Sequence, residues 1–150
     1  MNHLTLTTAL VAAMALPAAA QDLRIALQSD ADVLDPDQSR TFVGRIVYAS
    51  LCDKLVDITP DLQIIPQLAT EWTVAEDGMS IDMTVREGVV FHDGTTFDAA
   101  AVAANIERSQ TLDESRRKSE LSSIASVDVT GDYTLTLNLI APDATVMAQL

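Results

Sequence analysis

"VREGVVFHDGTTFDAAAVAANIERS", residues 85–109, passes from alternating residues through a Gly-bearing turn into an Ala-rich stretch. Its organisation decides the fold. Asp93-Gly94 is a favoured two-residue turn. Asp98 stands where a helix N-cap belongs, its carboxylate able to accept from the N–H of Ala100 or Ala101. Phe97 before the cap and Val102 inside the helix are placed for a hydrophobic staple, while Ala101 leaves the capping box incomplete. His92 and Asp93 therefore have a local structural explanation. An acid–base pair would need a nucleophile or a substrate-holding partner elsewhere, and a metal site more ligands than His92, because the other histidine is His3. No Asp-rich loop has EF-hand spacing. We expect no metal and no cofactor.

On either side lie hairpins. Upstream, Asp77-Gly78 separates two runs, and Ile81, Met83 and Val85 alternate with Ser80, Asp82, Thr84 and Arg86, the pattern of a half-buried strand. Downstream, Gly131-Asp132 divides a second pair, with Tyr133, Leu135, Leu137 and Leu139 on one face. Between them, "SQTLDESRRKSELSS" is polar, and its Arg116-Arg117-Lys118 run reads as a solvated face. Pro60 and Pro66 cut the stretch before the first hairpin into short extended pieces. Asp143 is placed to cap a helix bearing Val146, Met147 and Leu150.

Further upstream, Phe42 to Leu51 has helical spacing, with Val43, Ile46, Val47 and Leu51 around Cys52, which reads as a buried small hydrophobe. "SDADVLDPDQSR" is a loop by composition. "DLRIALQ", 22–28, alternates Leu23, Ile25 and Leu27 with polar residues, predicting a strand. Short strands with occasional helices place the chain in the α+β or mixed α/β class.

Leu4 to Leu16 is apolar or Thr and too short to span a membrane; Pro17 and Ala18-Ala19-Ala20 follow it. This predicts a secretory signal peptide, residues 1–20, cleaved after Ala20, although its n-region lacks Lys and Arg. The single cysteine forms no internal disulfide and does not stand at the cleavage site to carry a lipid. The net charge of -13 lies in the part after the signal. It argues against nucleic-acid and anionic-lipid partners. The last residues, "APDATVMAQL", carry no terminal signal, so the chain is expected to be the front of a longer protein.

Residues 51–109 resemble the N-terminal signature of extracytoplasmic solute-binding proteins of ABC transporters, family 5, the peptide-, dipeptide- and nickel-binding family. The resemblance rests on "LCDKLVD", "PQLATEW", "EDG" and "VREGVVFHDGTTF", and upstream on "VLDP", Val33 to Pro36. It departs at Asp98-Ala99-Ala100-Ala101-Val102, where the family usually has Thr-Ala-x-Asp-Val, and at Met83 and Val85, where an aromatic and a Leu are commoner.

The resemblance implies a periplasmic-binding-protein-like, two-lobed, type II-like fold with an inserted extra domain, of which only the N-terminal part is present. Residues 21–52 would supply the first strand, loop and helix of lobe I. Residues 53–150 would form the domain that pads it, and the second lobe would lie beyond. It further implies a monomeric, non-enzymatic periplasmic receptor that closes on a small-molecule or peptide ligand and delivers it to permease subunits in the inner membrane. Relatives bind oligopeptides, dipeptides, glutathione, nickel chelates, haem or sugars. By position after the "LDP" motif, Arg40, Thr41 and Phe42 would line the cleft, Phe42 packing on a ligand and Arg40 open to an anionic group. The alternative has Phe42 as a helix-entry staple and Arg40 solvated. Two competing functions remain: a secreted hydrolase using His92 and Asp93 as acid and base, and a truncated or stand-alone fragment.

Overall fold

The computed structural model describes residues 23–150. The expected signal peptide, 1–20, lies outside them. The elements run α1 (Phe42–Leu51), β1 (Val56–Ile58), β2 (Ile64–Pro66), β3 (Ala69–Val74), β4 (Ser80–Val85), α2 (Ala99–Thr111), β5 (Ile124–Gly131), β6 (Thr134–Leu139) and a 3-10 turn, Val146–Gln149.

β3 to β6 make a four-stranded antiparallel sheet in the order β3-β4-β6-β5. Register turns alternation into two unlike faces. Met83 pairs with Leu135 and Ile81 with Leu137, so the apolar residues of the two central strands stack on one side. The other side is polar: Thr136 donates to Asp82 at 2.6 Å and Asn138 donates to Asp128 at 2.8 Å. Over the apolar face lies α2, whose buried residues Ala99, Val102, Ile106 and Ser109 fall at helical spacing. The core they share with Ile81, Met83, Leu135 and Leu137 also takes in Phe97, Leu121, Val146 and Met147. Phe97 and Val102, the expected staple, are both buried in it.

The helix start follows the sequence. Asp98 accepts from Ala101 N–H at 2.8 Å, and Ala99 N–H, otherwise an orphan of the first turn, donates to the Asp132 carbonyl at 2.9 Å. Both hairpins form, with turns that differ in detail from expectation. The first closes through Gly78 N–H to Ala75 C=O at 2.9 Å, with Gly78 at φ 68. In the second, β5 runs on through Gly131, and Asp132-Tyr133 make the bend. The prolines act as expected: β1 and β2 are three-residue strands, and Pro66 ends the second.

Four expectations require correction. Residues 23–28 are not a strand: they have no ladder partner among the described residues, and Leu23 is 84% exposed. Alternation assigns faces, but a strand exists only where another backbone completes its hydrogen bonds. Cys52 is exposed, because it is the C-cap of α1, one residue past the helical stripe. Asp143 caps no α-helix. Its Oδ1 accepts from Thr145 N–H at 2.8 Å and from the Thr145 hydroxyl at 2.6 Å, closing a local turn before a single 3-10 turn. Finally, the Arg116-Arg117 stretch is more than a solvated face: Arg116 is exposed, as expected, but both side chains are also engaged in the bonds described below.

Candidate functional site

The loop Asp32–Thr41 and the start of α1 hold the residues expected to face a ligand. Thr41 is the N-cap of α1: its Oγ1 accepts from Gly44 N–H at 3.0 Å and donates to Asp32 Oδ1 at 2.9 Å. Ser39 donates to the same carboxylate oxygen at 2.6 Å. These bonds, that of Ser39 foremost, hold the Asp32 carboxyl below the usual range. A Cβ at Gly44 would lie 2.3 Å from Ser39 Oγ and would force that hydroxyl away from Asp32. Tyr48, one turn further along α1, reaches back: its hydroxyl donates to the Val33 carbonyl and accepts from Asp35 N–H.

A second set of bonds ties this loop to the sheet unit. Asp35 closes the turn over Pro36, its Oδ1 accepting from Asp37 N–H at 3.0 Å. Two residues apart, Asp35 and Asp37 present carboxylates to the same guanidinium. Arg108, in the last turn of α2, pairs with Asp35 Oδ2 at 2.5 Å and, through its other terminal nitrogen, with Asp37 Oδ2. The buried Ser109 hydroxyl donates to Asp37 Oδ1 at 2.7 Å. Asp37, only 4% exposed, is thus buried with charged and neutral donors both in place. The Arg108 hydrogen bond is the main cause of Asp35's lowered pKa.

Arg40 continues the seam. Its guanidinium pairs with Glu120 at 2.9 Å and donates to the Arg116 carbonyl. In return, Arg116 donates from N–H to the Asp37 carbonyl at 2.8 Å and from Nε to the Gln38 carbonyl at 3.0 Å. Arg117 pairs with Glu120 and donates to the Gln149 carbonyl. Arg40 is therefore paired with protein groups while its side chain stays 47% exposed. Phe42, the first residue of α1, is 75% exposed. It leaves an aromatic ring standing in solvent beside an ordered helix start, which is not the placement of a staple.

His92 and Asp93 lie elsewhere, in a tight turn off the sheet. Gly94, at φ 86, donates to the Phe91 carbonyl at 2.9 Å. Asp93 accepts from the Thr95 hydroxyl at 2.7 Å and from Thr95 N–H at 2.9 Å, which together lower its pKa. Phe91 and Phe97 meet edge to face with centroids 6.0 Å apart, pinning the turn to the core. His92 itself is exposed. The carboxylate is committed to the corner, as its sequence context indicates.

Arg108, Ser109 and Glu120 escape detection in the sequence. Arg108 looks there like a cation at a helix C-terminus, a favourable place for any Arg. One signal was available: the buried stripe Ala99, Val102, Ile106 continues to position 109, where a Ser rather than an apolar residue occupies the core-facing position.

Residues 63–150 match the family described as bacterial extracellular solute-binding proteins, family 5 Middle. The glutathione-binding protein GsiB of Salmonella paratyphi A is 34% identical over 125 residues, covering 83% of this chain and 24% of that protein. Among solved structures, an ABC transporter substrate-binding protein from Sinorhizobium meliloti is 37% identical with TM-score 0.57, over 64% of this chain and 20% of that one. NikZ from Campylobacter jejuni, in complex with Ni(L-His), superposes with TM-score 0.72 at 22% identity, over 81% of this chain and 24% of that one. The chain belongs to the family 5 bacterial extracellular solute-binding proteins. Its structural neighbours are two-lobed periplasmic binding proteins. The chain spans about a quarter of the length of the curated relatives it matches.

Proposed function

We propose that this chain is part of a periplasmic receptor that binds a peptide or similar small solute and delivers it to an ABC importer. The observation that carries the proposal is the 34% identity to a glutathione-binding protein across 83% of the chain, within a family of solute-binding proteins. It acts by binding, without chemistry of its own. Residues 1–20 direct export and are removed after Ala20, and the product works as a monomer with the permease subunits.

The core supports a division near residue 53. Leu55 and Val56 already belong to the apolar cluster of the sheet unit, and no residue from 23–52 does. We assign 53–150 to the padding domain and 21–52 to lobe I. Arg40, Thr41 and Phe42 face the ligand in this scheme. Phe42 offers the apolar surface, Thr41 fixes the helix start, and Arg40, held by Glu120, offers its remaining N–H groups to an anionic end.

The test is a thermal-shift and calorimetric screen of the complete gene product against reduced glutathione, the dipeptide Met-Leu, Ni(L-His) and simple sugars. One class should raise the melting temperature, the stabilisation reaching about 2.7 kcal/mol at a hundredfold excess over Kd. Phe42→Ala should weaken that binding about tenfold, a loss of roughly 1.4 kcal/mol. Failure of all four classes to bind would refute the receptor function.

A further inference from the structure

We propose that Arg108 is a positioning residue for the ligand-facing segment Arg40–Phe42, holding it in register with the padding domain through Asp35 and Asp37. This rests on the receptor function proposed above and adds to it a residue that touches no ligand.

Three observations lead there. First, the segment lacks an apolar anchor in the sheet unit, whose core cluster contains nothing before Leu55. Its orientation therefore depends on directional polar bonds, which are made or lost at defined geometries. Second, beside the Arg40 and Arg116 bonds, the two loop carboxylates Asp35 and Asp37 meet on one side chain: Arg108 pairs with Asp35 through one terminal nitrogen and with Asp37 through the other. The planar fork can hold both carboxylates at once, whereas a Lys ammonium is a single point charge. Third, the chain from that clamp to the ligand-facing residues is short and internally tied. Gln38 N–H and Ser39 N–H both donate to the Asp35 carbonyl, at 3.1 and 3.0 Å, and Ser39 and Thr41 share the Asp32 carboxylate at the start of α1. Displacing Asp35 and Asp37 displaces the N-terminus of α1 and Phe42 with it. A segment ordered before the ligand arrives costs less to bind with than one ordered by it, so losing the clamp weakens binding without removing a ligand contact.

The experiment uses the complete gene product with Arg108→Met, Arg108→Lys and the double variant Arg108→Met/Asp37→Asn. The double variant leaves no unpaired buried carboxylate and keeps an acceptor for Ser109, so it guards against simple unfolding. Hydrogen exchange is followed over residues 33–44 and over β4 and β6, and affinity is measured for whichever of glutathione, Met-Leu, Ni(L-His) or sugar binds the wild type. Exchange over 33–44 should quicken about tenfold in Arg108→Met and in the double variant, with β4 and β6 unchanged. Affinity should fall about tenfold in parallel, with Arg108→Lys intermediate. Unchanged exchange over 33–44 would overturn the proposal. Faster exchange with wild-type affinity would also overturn it, leaving the receptor function standing and the clamp merely structural. A wild type that binds none of the probes refutes the receptor function itself and takes the positioning role with it.

Discussion

The sheet unit and the N-terminal arm before it, residues 23–52, are held by different physics. In the sheet unit, Leu137 at 0% exposure, Ile81 and Leu135 at 1% and Met83 at 2% are removed from water together, covered by α2. Apolar burial is non-directional and shared among many neighbours, so the unit behaves as one cooperative body. The arm carries Leu23, Leu34 and Phe42 largely exposed and meets the rest of the molecule along a seam of carboxylates, guanidiniums and carbonyls. Such a seam specifies an orientation closely, yet each bond adds little net stability. It can open without unfolding what it rests on. The receptor proposed above has use for both, one region rigid and the other aimed.

The comparison breaks most visibly in the core. Leu137→Ala should cost about 3 kcal/mol, lowering the denaturation midpoint of the whole sheet unit as a single transition. If instead only the arm loosens, the two regions are not separate in the way their contacts indicate. Next comes the seam. Asp37→Ala removes a carboxylate bonded to Arg108 and strands the buried Ser109 hydroxyl. It should cost about 2 kcal/mol. A double-mutant cycle with Arg108→Met should return a coupling above about 0.5 kcal/mol, read by chemical denaturation. Coupling of Asp37 with Leu137, by contrast, should be near zero.

Sequence legibility divides along the same line. β4 and β6 announce themselves because each alternates over six residues, and a period of two allows one arrangement with an apolar face inward. Asp98 and the Phe97–Val102 pair mark the start of α2 because capping is decided within five residues of chain. The seam is different. Arg108 and Asp37 are 71 residues apart, and nothing local to either names the other. Residues 23–28 show the converse error: the alternating pattern is present, but a strand also needs a neighbouring backbone. The Arg116-Arg117-Lys118 run hides its bonds for the same reason: Arg116 is exposed, as a basic tripeptide suggests, yet the guanidiniums of Arg116 and Arg117 reach the carbonyls of Gln38 and Gln149. The family resemblance, carried by contiguous motifs, located the fold and singled out the loop expected to face a ligand, but not the residues that fasten that loop.

Smaller effects sharpen the boundary. Asp98→Ala removes the bond to Ala101 N–H and should cost about 1 kcal/mol, seen as fraying at the start of α2 and not as loosening of the arm. Acid should act in the opposite place. Because Arg108, before any other cause, depresses the folded-state pKa of Asp35, that group's contribution is complete above the ordinary carboxylate value of about 4. It is lost as pH falls through the lower folded value. Calorimetric melts between about pH 6 and pH 2 should show an acid-sensitive component that Arg108→Met diminishes. A component of undiminished size in that variant would place the sensitivity on other carboxylates.

The smallest expected effect separates the two functions the chain could have. His92 is exposed at a corner whose geometry is set by Gly94, Asp93 and Thr95, and the Phe91–Phe97 contact fastens that corner to the sheet unit. Its imidazole is not among the groups that close the turn. His92→Ala should therefore change stability by less than about 0.5 kcal/mol and leave ligand affinity unaltered. A hydrolase using His92 as acid or base predicts the reverse, a folded variant that has lost turnover of peptide or ester substrates while Phe42→Ala retains it. Measuring both variants for binding and for hydrolysis puts the two regions in direct competition: a receptor loses function at the arm, an enzyme at the turn.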